Sequence, residues 1–156
     1  SDEMPVRYDL AGGIATIVID RPHRKNALSV AAANALTDCW RRVEDDDPVT
    51  AAILTSSDCS VSSAGLDFKE AAEIRARDGG DILTLMTDPM HERMCGVTKP
   101  IIAAVTGSLM AGGMLLSLQR DLRGGLKGTK AGIAEVKVGR QAMIQVRSAR
   151  QVEQEI

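Results

Sequence analysis

A chain of 156 residues, 44% of them hydrophobic, is long enough for one domain with a sizeable core, and with a single Phe, Tyr and Trp that core must be built from Ala, Val, Ile, Leu and Met. A net charge of −2 gives no basic nucleic-acid surface, and 26% charged residues give no disordered tail. Cys39, Cys59 and Cys95 are too widely spaced for a disulfide framework or a metal-ligand pair, no apolar run reaches membrane-spanning length, and no signal-peptide pattern opens the chain, so a reducing cytoplasm is the expected compartment.

In chain order, residues 6–10 and 14–19 predict a β-hairpin that turns through Ala11-Gly12-Gly13. Asp20-Arg21-Pro22 ends it, and His23-Arg24-Lys25-Asn26 is a polar, basic loop. Ser29 is placed to cap a helix over residues 30–46, with Ala32, Leu36, Cys39 and Val43 on its buried face and Trp40 alongside. Residues 50–55 are the next strand, and residues 56–65 form a loop of small residues. Leu66-Asp67-Phe68-Lys69-Glu70 begins a helix that runs to about Arg77, and Asp78-Gly79-Gly80 breaks the chain. Asp81 then caps a helix with the stripe Ile82, Met86, Met90, Met94, which Pro89 should kink or divide. That stripe suits core packing, or the lining of a flexible acyl pocket.

Residues 101–105 are a short apolar run of the kind that makes a buried strand, with Pro100 at its start where no ladder donor is needed. A turn at Gly107 follows, and Gly112-Gly113 leads into a buried helix over residues 114–118. Glycines at a helix start leave backbone N–H groups bare, which suits a phosphate, a carboxylate or a developing oxyanion, or else close helix–strand packing with no ligand. Residues 121–126 are a further strand, 127–130 a turn, and Ala131-Gly132-Ile133-Ala134-Glu135 follows. The alternation strand-strand-helix, strand-helix-helix, strand-helix, strand is that of an α/β chain. No G-x-G-x-x-G follows a strand, Lys127-Gly128-Thr129 lacks the spacing of a phosphate-binding loop, and no G-x-S-x-G elbow surrounds Ser63 or Ser108. His23 and His91 read as solvated or packing residues, and no cluster is available to ligate a metal.

Four segments, in order, resemble those of the crotonase family, the enoyl-CoA hydratase/isomerase superfamily. Arg21-Pro22 through Asn26-Ala27-Leu28 is similar to its R-P-x-x-x-N-A-L opening, and Ala64-Gly65-Leu66-Asp67-Phe68-Lys69-Glu70 to its A-G-x-D-L-K-E segment. Lys99-Pro100-Ile101 through Gly107, with Ala111-Gly112-Gly113, resembles K-P-x-I-A-A-V-x-G…G-G-G, and Ala131-Gly132-Ile133-Ala134-Glu135 through Gly139 resembles F-G-x-P-E-x-x-x-G. The resemblance implies a spiral of ββα units that binds acyl-CoA, with coenzyme A entering as part of the substrate and no other cofactor. It implies an oxyanion hole made by the backbone N–H groups of Leu66 and Gly112, and proton transfer by Glu135. It assigns contact with CoA or substrate to Arg24, Lys25, Ala27, Ala64, Asp67, Phe68 and Gly113; for Arg24 and Lys25 a solvated basic loop is the other reading.

The departures bear on the reaction. Family hydratases carry a glutamate two residues after the glycine triplet, and Leu115 stands there. One carboxylate, Glu135, remains where hydration uses two, an arrangement that resembles the double-bond isomerases of the family. The expected function is therefore isomerase-like enolate chemistry on an enoyl-CoA; the alternative is a catalytically weak acyl-CoA-binding or assembly subunit. Residues 1–139 are the expected core and residues 140–156 a C-terminal amphipathic helix, with family residues expected to be missing before Val146. The family resemblance, together with two apolar helix faces, predicts a homo-oligomer, a trimer or hexamer, with no nucleic-acid or membrane partner.

Overall fold

The computed structural model describes residues 4–57, 60–110, 113 and 120–132. The first two strands, β1 (Val6–Ala11) and β2 (Ile14–Ile19), form the expected antiparallel hairpin. Its turn places both Gly12 (φ 56°) and Gly13 (φ 79°) in the left-handed region, where a two-residue hairpin needs them and where a side chain would be strained. Strand β2 alternates, with Ala15, Ile17 and Ile19 buried. Helix α1 (Val30–Asp45) starts where Ser29 predicted, its Oγ accepting the Ala32 N–H at 3.0 Å. Its buried residues, Ala32, Ala33, Leu36, Thr37, Trp40 and Val43, recur at helical spacing; Ala32, Leu36, Trp40 and Val43 pack on the sheet, Ala33 packs with Ile74, Ile82 and Met86, and Cys39 lies at the half-buried margin.

Strands β3 (Ala51–Ser56), β4 (Val61–Ser63), β5 (Ile101–Val105), β6 (Ser108–Met110), β7 (Leu122–Gly125) and β8 (Ala131–Gly132) complete two sheets. One has the order β1-β2-β3-β5-β7 and the other β4-β6-β8, and every pairing after the first hairpin is parallel. The chain thus lays one strand in the large sheet and the next in the small sheet, three times over. Strands β4 and β6 were not expected from sequence: the small, polar residues 56–65 and the turn after Gly107 read as loops because three-residue strands are too short to show a period.

Lys99 joins two units. Its ammonium donates to the carbonyls of Val43 (2.7 Å) and Asp46 (2.8 Å) at the end of α1, where unpaired carbonyls and the helix dipole favour a cation. Helix α2 (Phe68–Asp78) is capped by Asp67 and closed by Gly79 at φ 72°. The expected Met-stripe helix is two single turns, α3 (Ile82–Leu85) and α4 (Glu92–Cys95), because Pro89 divides it and His91 takes a left-handed backbone (φ 56°). Ile82, Met86 and Met94 are nonetheless buried within the chain and Met90 is half-buried, so most of this stripe is core. The apolar side chains left exposed include Leu122 (63%) and Leu126 (65%) at the β7 end. The helices expected over 114–118 and 140–156 lie outside the described residues.

Candidate active site

The site grows from two segments that the sequence keeps far apart, residues 21–28 and 57–67. Lys25 and Asn26 both sit at φ 52°, which Asn tolerates better than most side chains. That sharp turn buries the Asn26 side chain completely. Its Oδ1 accepts the Arg21 N–H (2.9 Å) and the Ser57 hydroxyl (3.0 Å); its Nδ2 donates to the carbonyls of Ser57 (3.0 Å) and Val61 (2.9 Å). All four hydrogen-bonding positions of the amide are used. The Ser63 hydroxyl donates to the Asn26 carbonyl (2.9 Å) and accepts the Gly65 N–H (3.2 Å). The Ala64 N–H then donates to the Lys25 carbonyl at 3.0 Å.

This stitching ends in a single parallel bridge between Leu28 and Leu66. The Leu28 N–H donates to the Gly65 carbonyl (2.7 Å), and the Asp67 N–H donates to the Leu28 carbonyl (3.0 Å). In such a bridge the residues on either side of Leu66 turn toward Leu28, so the N–H of Leu66 itself turns away. Among the described residues it meets no acceptor. The Leu66 side chain is anchored separately, against the apolar cluster of Ala33, Ile74, Ile82 and Met86.

On its other edge the same segment is flanked by β6, which pairs with β4 through Val61–Ser108 and Ser63–Leu109. Gly113 lies there too. A Cβ on Gly113 would fall 2.5 Å from the Ser63 Cβ and 2.9 Å from the Ser63 carbonyl oxygen, so only glycine allows this approach. Gly107 is equally tight against the Ser60 backbone, and the Ser62 hydroxyl accepts both the Thr106 N–H (2.8 Å) and the Gly107 N–H (2.9 Å). The second glycine segment is therefore held against the segment that ends in Leu66. Gly112, Leu115 and Glu135 lie outside the described residues.

Asp67 is 2% exposed and binds two arginines. Arg21 Nη1 lies 3.1 Å from Oδ2 and also donates to the Ala27 carbonyl at 2.6 Å; Arg24 Nη2 lies 2.5 Å from Oδ1. Oδ1 further accepts the Glu70 N–H (3.2 Å) as the cap of α2. Burial pushes the Asp67 carboxyl up, but hydrogen bonds from Arg24, the Glu70 N–H and Arg21 outweigh it and hold it at about 2. Of the two basic residues assigned to CoA, Arg24 is thus engaged with Asp67. Lys25 is exposed, and its ammonium has no partner among the described residues. Ala27 is buried beside Arg21, Ala64 is half-buried, and Phe68 is exposed at the start of α2. Sequence reasoning assigned no role to Arg21, Asn26, Ser62 or Ser63; an Asn closing a basic loop immediately before an apolar run was the one available sign of a left-handed turn.

Other features lie elsewhere. An open cleft of about 470 Å³ runs along the C-terminal half of α1, against Asp88, Glu92 and Arg93, away from the Leu28–Leu66 bridge. His91 is buried, as a packing histidine would be, and is held neutral down to about pH 4. Among the described residues no group of three or more His, Cys, Asp or Glu side chains could hold a metal ion, and no helix is long and apolar enough to cross a membrane.

Strands laid alternately into a five-stranded and a three-stranded sheet, with helices between them, give the crotonase fold. The sequence matches the Enoyl-CoA hydratase/isomerase family over residues 9–155, and the chain belongs to that family. It is 33% identical over 142 residues to the (E)-benzylidenesuccinyl-CoA hydratase of Thauera aromatica, covering 86% of this chain and 52% of that one. It is 29% identical over 139 residues to the mitochondrial methylglutaconyl-CoA hydratase of Mus musculus, covering 88% and 44%. The crystal structure of an enoyl-CoA hydratase from Mycobacterium tuberculosis H37Rv superposes with a TM-score of 0.74 at 33% identity, over 89% of this chain and 52% of that one. The chain spans about half the length of these relatives.

Proposed function

We propose that this protein stabilises the enolate of an acyl-CoA thioester between the N–H groups of Leu66 and Gly112, and that Glu135 moves the proton. The observation that carries the reading is the Leu66 N–H, left out of its bridge and met by no acceptor among the described residues, three residues after the Ser63 that Gly113 backs onto. An N–H fixed in this way costs no reorganisation when charge develops on a thioester oxygen, and losing such a donor slows reactions by about 10²–10³-fold. The donor is main-chain, so Leu66 supplies it as well as a smaller residue would. Lys25 is the cation we place near the CoA phosphates, since Arg24 is engaged with Asp67.

For the chemical step we favour isomerisation. The Glu135 carboxylate takes a proton from C2 of a 3-enoyl-CoA, the electron pair spreads to the thioester oxygen and C4, and Glu135 returns the proton at C4. Hydration uses two carboxylates, one to orient water and one to deliver a proton, and Leu115 stands where the first of them would be, leaving Glu135 alone. Hydration is the second reading, favoured by the names of the hydratases to which the chain is similar. Incubation with a 2-enoyl-CoA and a 3-enoyl-CoA in parallel separates them. Conversion of the 3-enoyl substrate alone is expected, and rapid hydration of the 2-enoyl substrate would overturn the isomerase assignment. A Glu135→Gln variant that keeps binding and loses turnover would support the role of Glu135, whereas undiminished turnover would remove it.

A further inference from the structure

We infer that Asp67 is a positioning residue for the Leu66 N–H, acting through a brace of two arginines, and that this, not contact with CoA, is its role. The inference rests on the reading of Leu66 as an oxyanion donor. Asp67 immediately follows Leu66, and its own N–H makes one of the two hydrogen bonds of the Leu28–Leu66 bridge. Its carboxylate is buried and taken up by Arg21 Nη1, Arg24 Nη2 and Nε, and the Glu70 N–H. Arg21 Nη1 simultaneously holds the Ala27 carbonyl, one residue before Leu28. A single guanidinium therefore ties the residue before one end of the bridge to the residue after the other. Arg24 adds a second tie from the same loop.

With both ties in place, the peptide plane between Gly65 and Leu66 has little freedom to rotate. Gly65 alone would permit that rotation, because at φ 87° it carries no side chain to resist it. The geometry thus pairs a permissive glycine with a rigid ionic brace one residue beyond the donor. Asp67, only 2% exposed, has almost no surface to offer a substrate. Its effect falls on the alignment of the N–H with the thioester oxygen, and misplacing such a group by about 1 Å costs up to about 10²-fold in rate.

Asp67→Asn tests this in the full chain. Asn keeps the size and the helix cap but removes the charge that holds both arginines. The probe is dimethylaminocinnamoyl-CoA, a chromophoric enoyl thioester whose absorption moves to the red when donors polarise its carbonyl. A saturated red shift in the unsubstituted protein that falls by half or more in Asp67→Asn, with Kd changed less than 3-fold, supports the brace. On a turned-over substrate the same variant should lose 10- to 100-fold in kcat with KM nearly unchanged. An equal red shift in both proteins, or a rise in Kd with the shift intact, overturns it. No red shift in the unsubstituted protein would instead remove the oxyanion reading itself, and this inference with it. Should circular dichroism show Asp67→Asn unfolded, Arg24→Met, which keeps Arg21 on the carboxylate, takes its place. It should lose part of the red shift at saturation, and a full shift there overturns the brace.

Discussion

Asn26→Ala is the most informative single substitution for the architecture of the site. It removes one acceptor that serves the Arg21 N–H and the Ser57 hydroxyl, and one donor that serves the Ser57 and Val61 carbonyls. The Ser57 hydroxyl is half-exposed and can turn to water, whereas the Arg21 N–H is buried and the Ser57 and Val61 carbonyls are partly so. Each buried polar group deprived of its partner costs about 1–3 kcal/mol. Holding Ala at φ 52° adds about 1 kcal/mol. With one buried N–H, two part-buried carbonyls near the low end of that range and the backbone term, the expected loss is about 4–6 kcal/mol, a large part of a typical domain's stability. Urea unfolding followed by the fluorescence of Trp40, the single tryptophan and 1% exposed, measures it. Asn26→Asp serves as the control, since it keeps size and acceptor but points a carboxylate at two carbonyls. That carboxyl is expected to titrate above its usual value, so the variant's deficit relative to the unsubstituted protein should be greatest near neutral pH and shrink on acidification. A loss below 1 kcal/mol for Asn26→Ala would refute the view that this amide organises the site.

Burial depresses His91 from 6.5 to about 4, so the folded state keeps it neutral where the unfolded chain protonates it. Stability from this residue should be complete above pH 6.5 and decline toward pH 4, by about 3 kcal/mol in all; His91→Asn, which suits the left-handed backbone, should flatten that decline in denaturation series at pH 5 and 7. Gly113→Ala should push the glycine segment off Ser63, costing about 1–3 kcal/mol and most of the activity, read by thermal melts and turnover. Lys25→Ala should raise KM for acyl-CoA about 10-fold with kcat unchanged, and the difference should shrink in high salt if the contact is with phosphate. Light scattering at micromolar concentration should give a trimer or hexamer mass. Because most of the Met stripe is buried while Leu122 and Leu126 are exposed, Leu122→Ser with Leu126→Ser is expected to reduce that mass, and a persistent monomer in the unsubstituted protein would refute the assembly.

Local signals carried far along this chain. The Gly12-Gly13 hairpin, the Ser29 and Asp81 caps, the Gly79 stop and the break at Pro89 were legible because each depends on the conformational limits of one or two residues. So was the two-residue period of β2 and the helical spacing of α1. Short glycine motifs also carried the family, since close approach of two backbones tolerates no side chain at Gly113. The small sheet was not legible, because three-residue strands of serine and small residues become strands only when parallel neighbours complete their ladders. Nor was it legible which of Arg24 and Lys25, adjacent residues of like charge, is engaged within the fold. It is decided by Asp67, more than forty positions away, which the tertiary fold alone brings within reach of one and not the other.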